Sequence, residues 1–159
     1  MNYKIGVFMW YDNKIKEYAN INYQINKIYC EKYDYTLIKS DRRLYLERKP
    51  HCKRIPLLLE YFDNYDYLIW IDADAHFYID SPPITNVINT YPEKLFIFSG
   101  DKDNHKYNNN WVINSGFFIV KQSEKSKSIL NKWLTDNELF KSKELSKPIF
   151  GNNNWNDQA

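Results

Sequence analysis

The stretch YDYLIWIDADAHFYID, residues 65–80, carries an apolar run that stops abruptly at two aspartates separated by one alanine. LIWI is β-rich and has no polar position, as expected of a strand covered on both faces. On an extended chain, residues i and i+2 point to one side about 6 to 7 Å apart. Asp72 and Asp74 are therefore expected to present converging carboxylates, with Ala73 facing away. Their mutual repulsion calls for a cation, and oxygen ligands are what Mg²⁺ and Mn²⁺ take, often with substrate phosphates completing the shell. A plain turn is the competing reading, since Asp is common where strands end. The apolar residues on both sides of the pair favour the site over the turn.

The flanking chain supplies the fold. YKIGVFMWY, 3–11, reads as a first strand, and residues 14–32 carry Ile15, Tyr18, Ala19, Ile21, Ile25, Ile28 and Tyr29 mostly at helical spacing. YDYTLIKS, 33–40, reads as a second strand. KRIPLLLEYFDNY, 53–65, reads as a helix with Pro56 in its first turn. The aspartate strand occupies 66–71. After it come a short helix near 84–90, a strand at 94–100, an Asn-rich loop, a strand at 115–121 and a helix at 123–134. Strands alternating with helices of this length predict an α/β protein with a Rossmann-like, mostly parallel central sheet and helices on both faces. Such sheets bind ligands beyond the carboxyl ends of their strands, which is where the aspartates fall.

Composition narrows the classes. The 159 residues, 43% hydrophobic and 18% aromatic, suit one domain with a real core. Lys plus Arg number 22 against 20 Asp plus Glu, a net charge of +2 that gives no reason to expect nucleic acid or an anionic membrane as partner. Apolar runs fall far short of the roughly 20 residues that span a bilayer, and the polar N-terminus lacks a signal-peptide core. The expectation is a soluble, cytoplasmic chain, or a Golgi or viral-factory protein if it belongs to a longer one. Cys30 and Cys52 read as two reduced thiols without metal-site spacing.

Taken with their surroundings, these residues resemble a known family. WIDADAHF looks like the DxD signature of GT-A fold, nucleotide-sugar-dependent glycosyltransferases. NYQINKIYCEKYDYTLI, CKRIPLLLEYFDNYDYLIWIDADAHF, WVINSGFFIVKQSEKSKSILNKW and NDQA follow one another in the order found in glycosyltransferase family 34, the galactosyl/xylosyl/mannosyl transferases. Glycogenin-like family 8 shares the DxD, NSG and DQ elements. Both families are retaining, so the resemblance implies transfer from a nucleotide-sugar donor to a glycan, protein or small-molecule hydroxyl acceptor with retention. UDP-sugar is favoured over GDP-sugar because both families contain many UDP users.

The resemblance also implies roles. Asp74 is expected to ligate Mn²⁺ or Mg²⁺ directly, and Asp72 to ligate it or hold the nucleotide ribose. Arg54, or Lys53 if the register shifts by one, would reach donor phosphate, which suits the planar donors of Arg. The alternative for Arg54 is a helix-surface charge. Asn114, Ser115 and Gly116 would contact sugar hydroxyls or form a tight turn, with Gly allowing close backbone approach. Asp101 is a further sugar contact. Asp157 and Gln158 stand nearest the anomeric carbon; Gln158 is no strong nucleophile, so a front-face path fits better than a double displacement. His76 is expected to hydrogen-bond a neighbour rather than ligate a metal.

The chain departs from both families at one point: no histidine follows His105, where theirs complete the metal shell near the end of the catalytic domain. This implies a single GT-A domain over 1–159, truncated at its C-terminal end, or a ligand from elsewhere. Two other readings compete. In haloacid dehalogenase-like phosphohydrolases the DxD lies on the first strand, before Thr or Val and a Gly-rich turn, unlike the AHF here. A binding module that kept the fold and lost turnover would tolerate the missing histidine.

Overall fold

The structure is a computed structural model that describes residues 2–41, 53–101 and 112–135. Its elements follow the expected order: β1 (Ile5–Trp10), α1 (Lys16–Lys32), β2 (Thr36–Ser40), α2 (Arg54–Glu60), β3 (Tyr67–Ile71), α3 (Thr85–Thr90), β4 (Phe96–Asp101), β5 (Val112–Lys121) and α4 (Glu124–Thr135). The helix expected over 53–65 breaks after Glu60 into a 3₁₀ turn at Phe62–Asn64. Pro56 is the third residue of α2, where its missing N–H costs nothing because first-turn amides have no intrahelical acceptor.

The five strands form one sheet in the order β2-β1-β3-β5-β4. β1 pairs in parallel with β2 and β3, whereas β5 runs antiparallel to both β3 and β4. Four strands therefore point one way and β5 alone opposes them. The sequence alternation gave no sign of this reversal, because β4 and β5 both read as buried apolar strands and neither states its direction.

Strand β3 lies between β1 and β5, and all five of its residues are buried, as are all six of β1. That is why neither strand alternates in hydrophobicity: each side chain faces one of two cores. On one face, Val7, Met9, Ile69 and Ile119 pack under Tyr29 and Cys30 of α1 and Ile88 of α3. On the other, Phe8, Leu68, Phe118 and Val120 pack under Leu57 and Leu58 of α2 and Leu130 of α4. Helices cover both faces, as the reading anticipated. Cys30 is a free buried thiol, and burial pushes its pKa up to about 12, so it serves as a small core hydrophobe; Cys52 lies outside the described residues.

The strand order turns back at β1. From β1 the chain crosses through α1 to β2 on one side, then through α2 to β3 on the other. A crevice opens at such a switch, beyond the carboxyl ends of the two strands. Here those ends are Trp10 and Ile71, directly before Asp72.

Candidate active site

The crevice is an open cleft of about 180 Å³, walled by Trp10 at the end of β1, Ile15 and Tyr18 at the start of α1, and Trp70 of β3. Arg54, Asp72 and Asp74 supply its charge. Both carboxylates thus reach one cleft, though by a route other than the extended strand expected from the sequence. β3 ends at Ile71, and the Ala75 N–H donates to the Asp72 carbonyl at 3.0 Å, closing a turn over 72–75. The last sheet-like contact is the Asp72 N–H, which donates to the Gly116 carbonyl at 2.8 Å. Ala73, expected to face away, packs against Tyr11 and Ala19 but also lines the cleft between the two aspartates, because the chain turns here instead of continuing extended.

Asp72 is held on several sides. The Trp70 indole Nε1–H donates to Asp72 Oδ1 at 2.7 Å, and Arg54 Nη2 lies 3.7 Å from the same oxygen. Arg54 is 3% exposed, and its other terminal nitrogen donates to the Ser115 carbonyl. Its guanidinium carbon sits 5.4 Å from the Trp70 ring centroid, within cation–π range. The helix-surface alternative for Arg54 therefore falls: it begins α2 on the inner side, and the chain spends a buried cation beside Asp72. Lys53, the alternative, is also buried, at 5% exposure. Asp74 is exposed at the cleft edge.

Gly116 explains why residues 114–116 adjoin the aspartates. A Cβ there would lie 3.0 Å from Asp72 Oδ2 and 2.9 Å from Asn114 Oδ1. A residue without a side chain lets β5 pass this close to the carboxylate without displacing it. Asn114 Oδ1 accepts the Gly116 N–H at 2.8 Å, so this oxygen shapes the local backbone. The register of β4 against β5 jumps from Phe98–Phe118 to Ser99–Asn114, a bulge that the Ser99 hydroxyl spans toward the Asn114 and Phe117 carbonyls. Ser115 is 1% exposed, and its hydroxyl finds no hydrogen-bond partner among the described residues.

The cleft is electrically negative. The Tyr18 phenol is held above its usual pKa first by desolvation and then by the charges of Asp74 and Asp72. Among the described residues no group of three or more His, Cys, Asp or Glu gathers as a metal cage. Two carboxylates in an open, negative cleft instead fit a cation shared with phosphate oxygens, the way Mg²⁺ is usually bound.

His76 is exposed, and its Nδ1 lies 2.9 Å from Asn22 Oδ1, a neighbour contact as expected. Of the other expected site residues, Asp101 ends β4 without a described side chain, and Asp157 and Gln158 lie outside the described residues. Sequence reading missed Trp10, Ile15 and Tyr18 as cleft walls. The signal was available, because the segment after the first strand of a doubly wound sheet borders its switch point.

No protein-family model and no curated protein matches the chain. Solved structures do. A glycosyltransferase involved in the glycosylation of the major capsid of PBCV-1 aligns with a TM-score of 0.68 at 16% identity, over 94% of this chain and 76% of that one. The galactosyltransferase LgtC, in complex with donor and acceptor sugar analogs, aligns at 0.53 and 13% identity, over 96% and 68%. The apo form of the glycosyltransferase GlyE of Streptococcus pneumoniae TIGR4 aligns at 0.50 and 15%, over 99% of this chain but 41% of that one. The fold of this chain is that of the GT-A glycosyltransferases.

Proposed function

We propose that the protein is a metal-dependent glycosyltransferase that moves a sugar from a nucleotide-sugar donor, a UDP-sugar in first place, to a hydroxyl acceptor with retention. The observation that carries this reading is the aspartate turn: two carboxylates in one cleft at the switch point of a GT-A sheet, with Asp72 held by Trp70 and flanked by buried Arg54.

The chemistry asks for such a site. As the glycosidic C–O bond breaks, negative charge grows on the leaving nucleoside diphosphate. A Mn²⁺ or Mg²⁺ ion held by Asp74 and Asp72 would offset that charge when bound. Asp74, exposed at the edge, is the direct ligand in this reading. Asp72 is oriented by its contacts with Trp70 and Arg54 and would turn its carboxylate to the cation or the ribose. Arg54 brings fixed positive charge beside Asp72, which lowers the repulsion between the two aspartates and favours phosphate nearby. The walls Trp10, Tyr18 and Trp70 offer aromatic surface to the donor.

Retention and the roles of Asp157, Gln158, Asn114 and Asp101 toward the sugar rest on the resemblance to families 34 and 8. In a front-face path the leaving phosphate helps to deprotonate the acceptor. An Asp157→Ala protein that transfers sugar normally would remove Asp157 from it.

The test is calorimetric titration of UDP- and GDP-sugars, with and without Mn²⁺, against the wild type and Asp74→Ala. Metal-dependent binding of one donor is expected, with affinity lowered at least about 10-fold in the variant. Equal binding by the two proteins would remove the aspartates from the site, and binding of no donor at all would overturn the reading. Donor binding with no transfer or hydrolysis would instead identify a non-catalytic module.

A further inference from the structure

The turn that carries Asp74 is gripped from behind by one face of α1. Asn22 Nδ2–H donates to the Ala73 carbonyl at 2.9 Å, and Asn26 Nδ2–H to the Ala75 carbonyl at 3.2 Å. Asn26 Oδ1 accepts the Phe77 N–H at 2.8 Å, and Asn22 Oδ1 accepts from His76 Nδ1 at 2.9 Å. These contacts bracket Asp74, touching residues 73, 75, 76 and 77. Farther along, Tyr29 of α1 and Tyr33 just past its end donate their hydroxyls to the Pro82 and Ser81 carbonyls, both at 2.8 Å.

Helix stability does not ask for these asparagines. Asn is a poorer helix former than Ala or Leu, and a buried amide is costly unless its bonds are made. Asn26 is nonetheless 0% exposed in the middle of α1. It spends its amide on backbone groups 49 and 51 residues away, besides a contact with Met9 Sδ at 3.3 Å. Beyond Asp72 the backbone has left the sheet, and the two asparagines, one helical turn apart, supply the partners that the ladder no longer provides.

We propose that Asn22 and Asn26 are positioning residues that set the 73–77 backbone so that Asp74 meets a cation–diphosphate in binding geometry. The proposal rests on the donor-site reading above. Asp74 itself is exposed, so its placement depends on the backbone that carries it. Neither asparagine lines the cleft, and each acts through main-chain atoms beside Asp74.

The experiment uses the full chain as wild type, Asn22→Ala, Asn22→Asp and Asn26→Asp. Mn²⁺ is titrated calorimetrically into protein with saturating UDP, alongside thermal melts and amide hydrogen exchange at Phe77. Asn22→Asp keeps the size and the acceptor for His76 but loses the donor to Ala73, so it separates grip from bulk. Both Asn22 variants are expected to bind Mn²⁺ about 10-fold more weakly at near-native melting temperature. Asn26→Asp is expected to lose about 10- to 100-fold, the range seen when partners behind metal ligands are removed. Excess Mn²⁺ should restore UDP binding.

Should Asn26→Asp fail to fold, the half-buried Asn22 pair decides the matter. Folded Asn22 variants with wild-type Mn²⁺ affinity would overturn the proposal while leaving the donor site standing. A deficit that tracks melting temperature across the variants would also overturn it, because that is the mark of general destabilisation. Wild-type protein that binds no Mn²⁺–UDP would take down the donor-site reading, and the proposal with it.

Discussion

Gly116 shows how one missing side chain serves the site. Its α-carbon faces Asp72 so closely that a methyl group would stand 3.0 Å from Oδ2 and 2.9 Å from Asn114 Oδ1. The Asp72 carboxylate is tied through Oδ1 to the Trp70 indole, and the Asn114 oxygen to a backbone amide, so neither yields freely. Gly116→Ala is therefore expected to push the carboxylate off its position. Metal-dependent donor affinity should fall about 10-fold while the melting temperature moves by a few degrees, checked by calorimetry and a thermal scan on one sample. Wild-type affinity in that variant would show that Asp72 tolerates displacement. Arg54 carries a related lesson: from the sequence a phosphate contact and a helix-surface charge both stood open, and its burial beside an aspartate and a tryptophan ring removes the second.

Helix α1 does two jobs, and its ends are built accordingly. Its first turn brings Ile15 and Tyr18 to the cleft, and its middle grips the aspartate turn. It stops in a Schellman motif: the Tyr35 N–H returns to the Cys30 carbonyl at 2.8 Å, and the Asp34 N–H points to the Glu31 carbonyl at 3.5 Å. The motif requires a left-handed residue, and Asp34 occupies that position with φ 58°. Glycine adopts this conformation without the Cβ clash. Asp34→Gly is expected to raise stability by roughly 0.5 to 1 kcal/mol. Urea unfolding should show this as a higher midpoint at unchanged slope; a lower midpoint would mean that the Asp34 side chain contributes contacts that outweigh the strain.

At the scale of the whole molecule, two cores share one sheet, and the strands between them carry both. Phe118 is 0% exposed at the crossing of β5 with β3 and β4, and its ring packs at 5.4 Å from Phe98 and 5.7 Å from Trp133. Phe118→Ala should cost about 3 to 5 kcal/mol, because removal of a core ring loses burial and leaves a cavity. A loss below about 1 kcal/mol in urea would mean that α4 collapses into the gap. The existence and order of the elements were legible in residues 3–135, since buried apolar runs and helical spacing are local patterns that a chain states directly. So was the aspartate pair, because carboxylates that end an apolar run break the pattern around them. The turn at 72–75 was legible as the alternative to an extended pair, whereas the direction of β5, the burial of Arg54 and the grip of Asn22 and Asn26 were not. Each of the latter depends on which residues meet across 46 to 61 positions of chain, and the free energy of such contacts is settled by packing rather than by any local spacing.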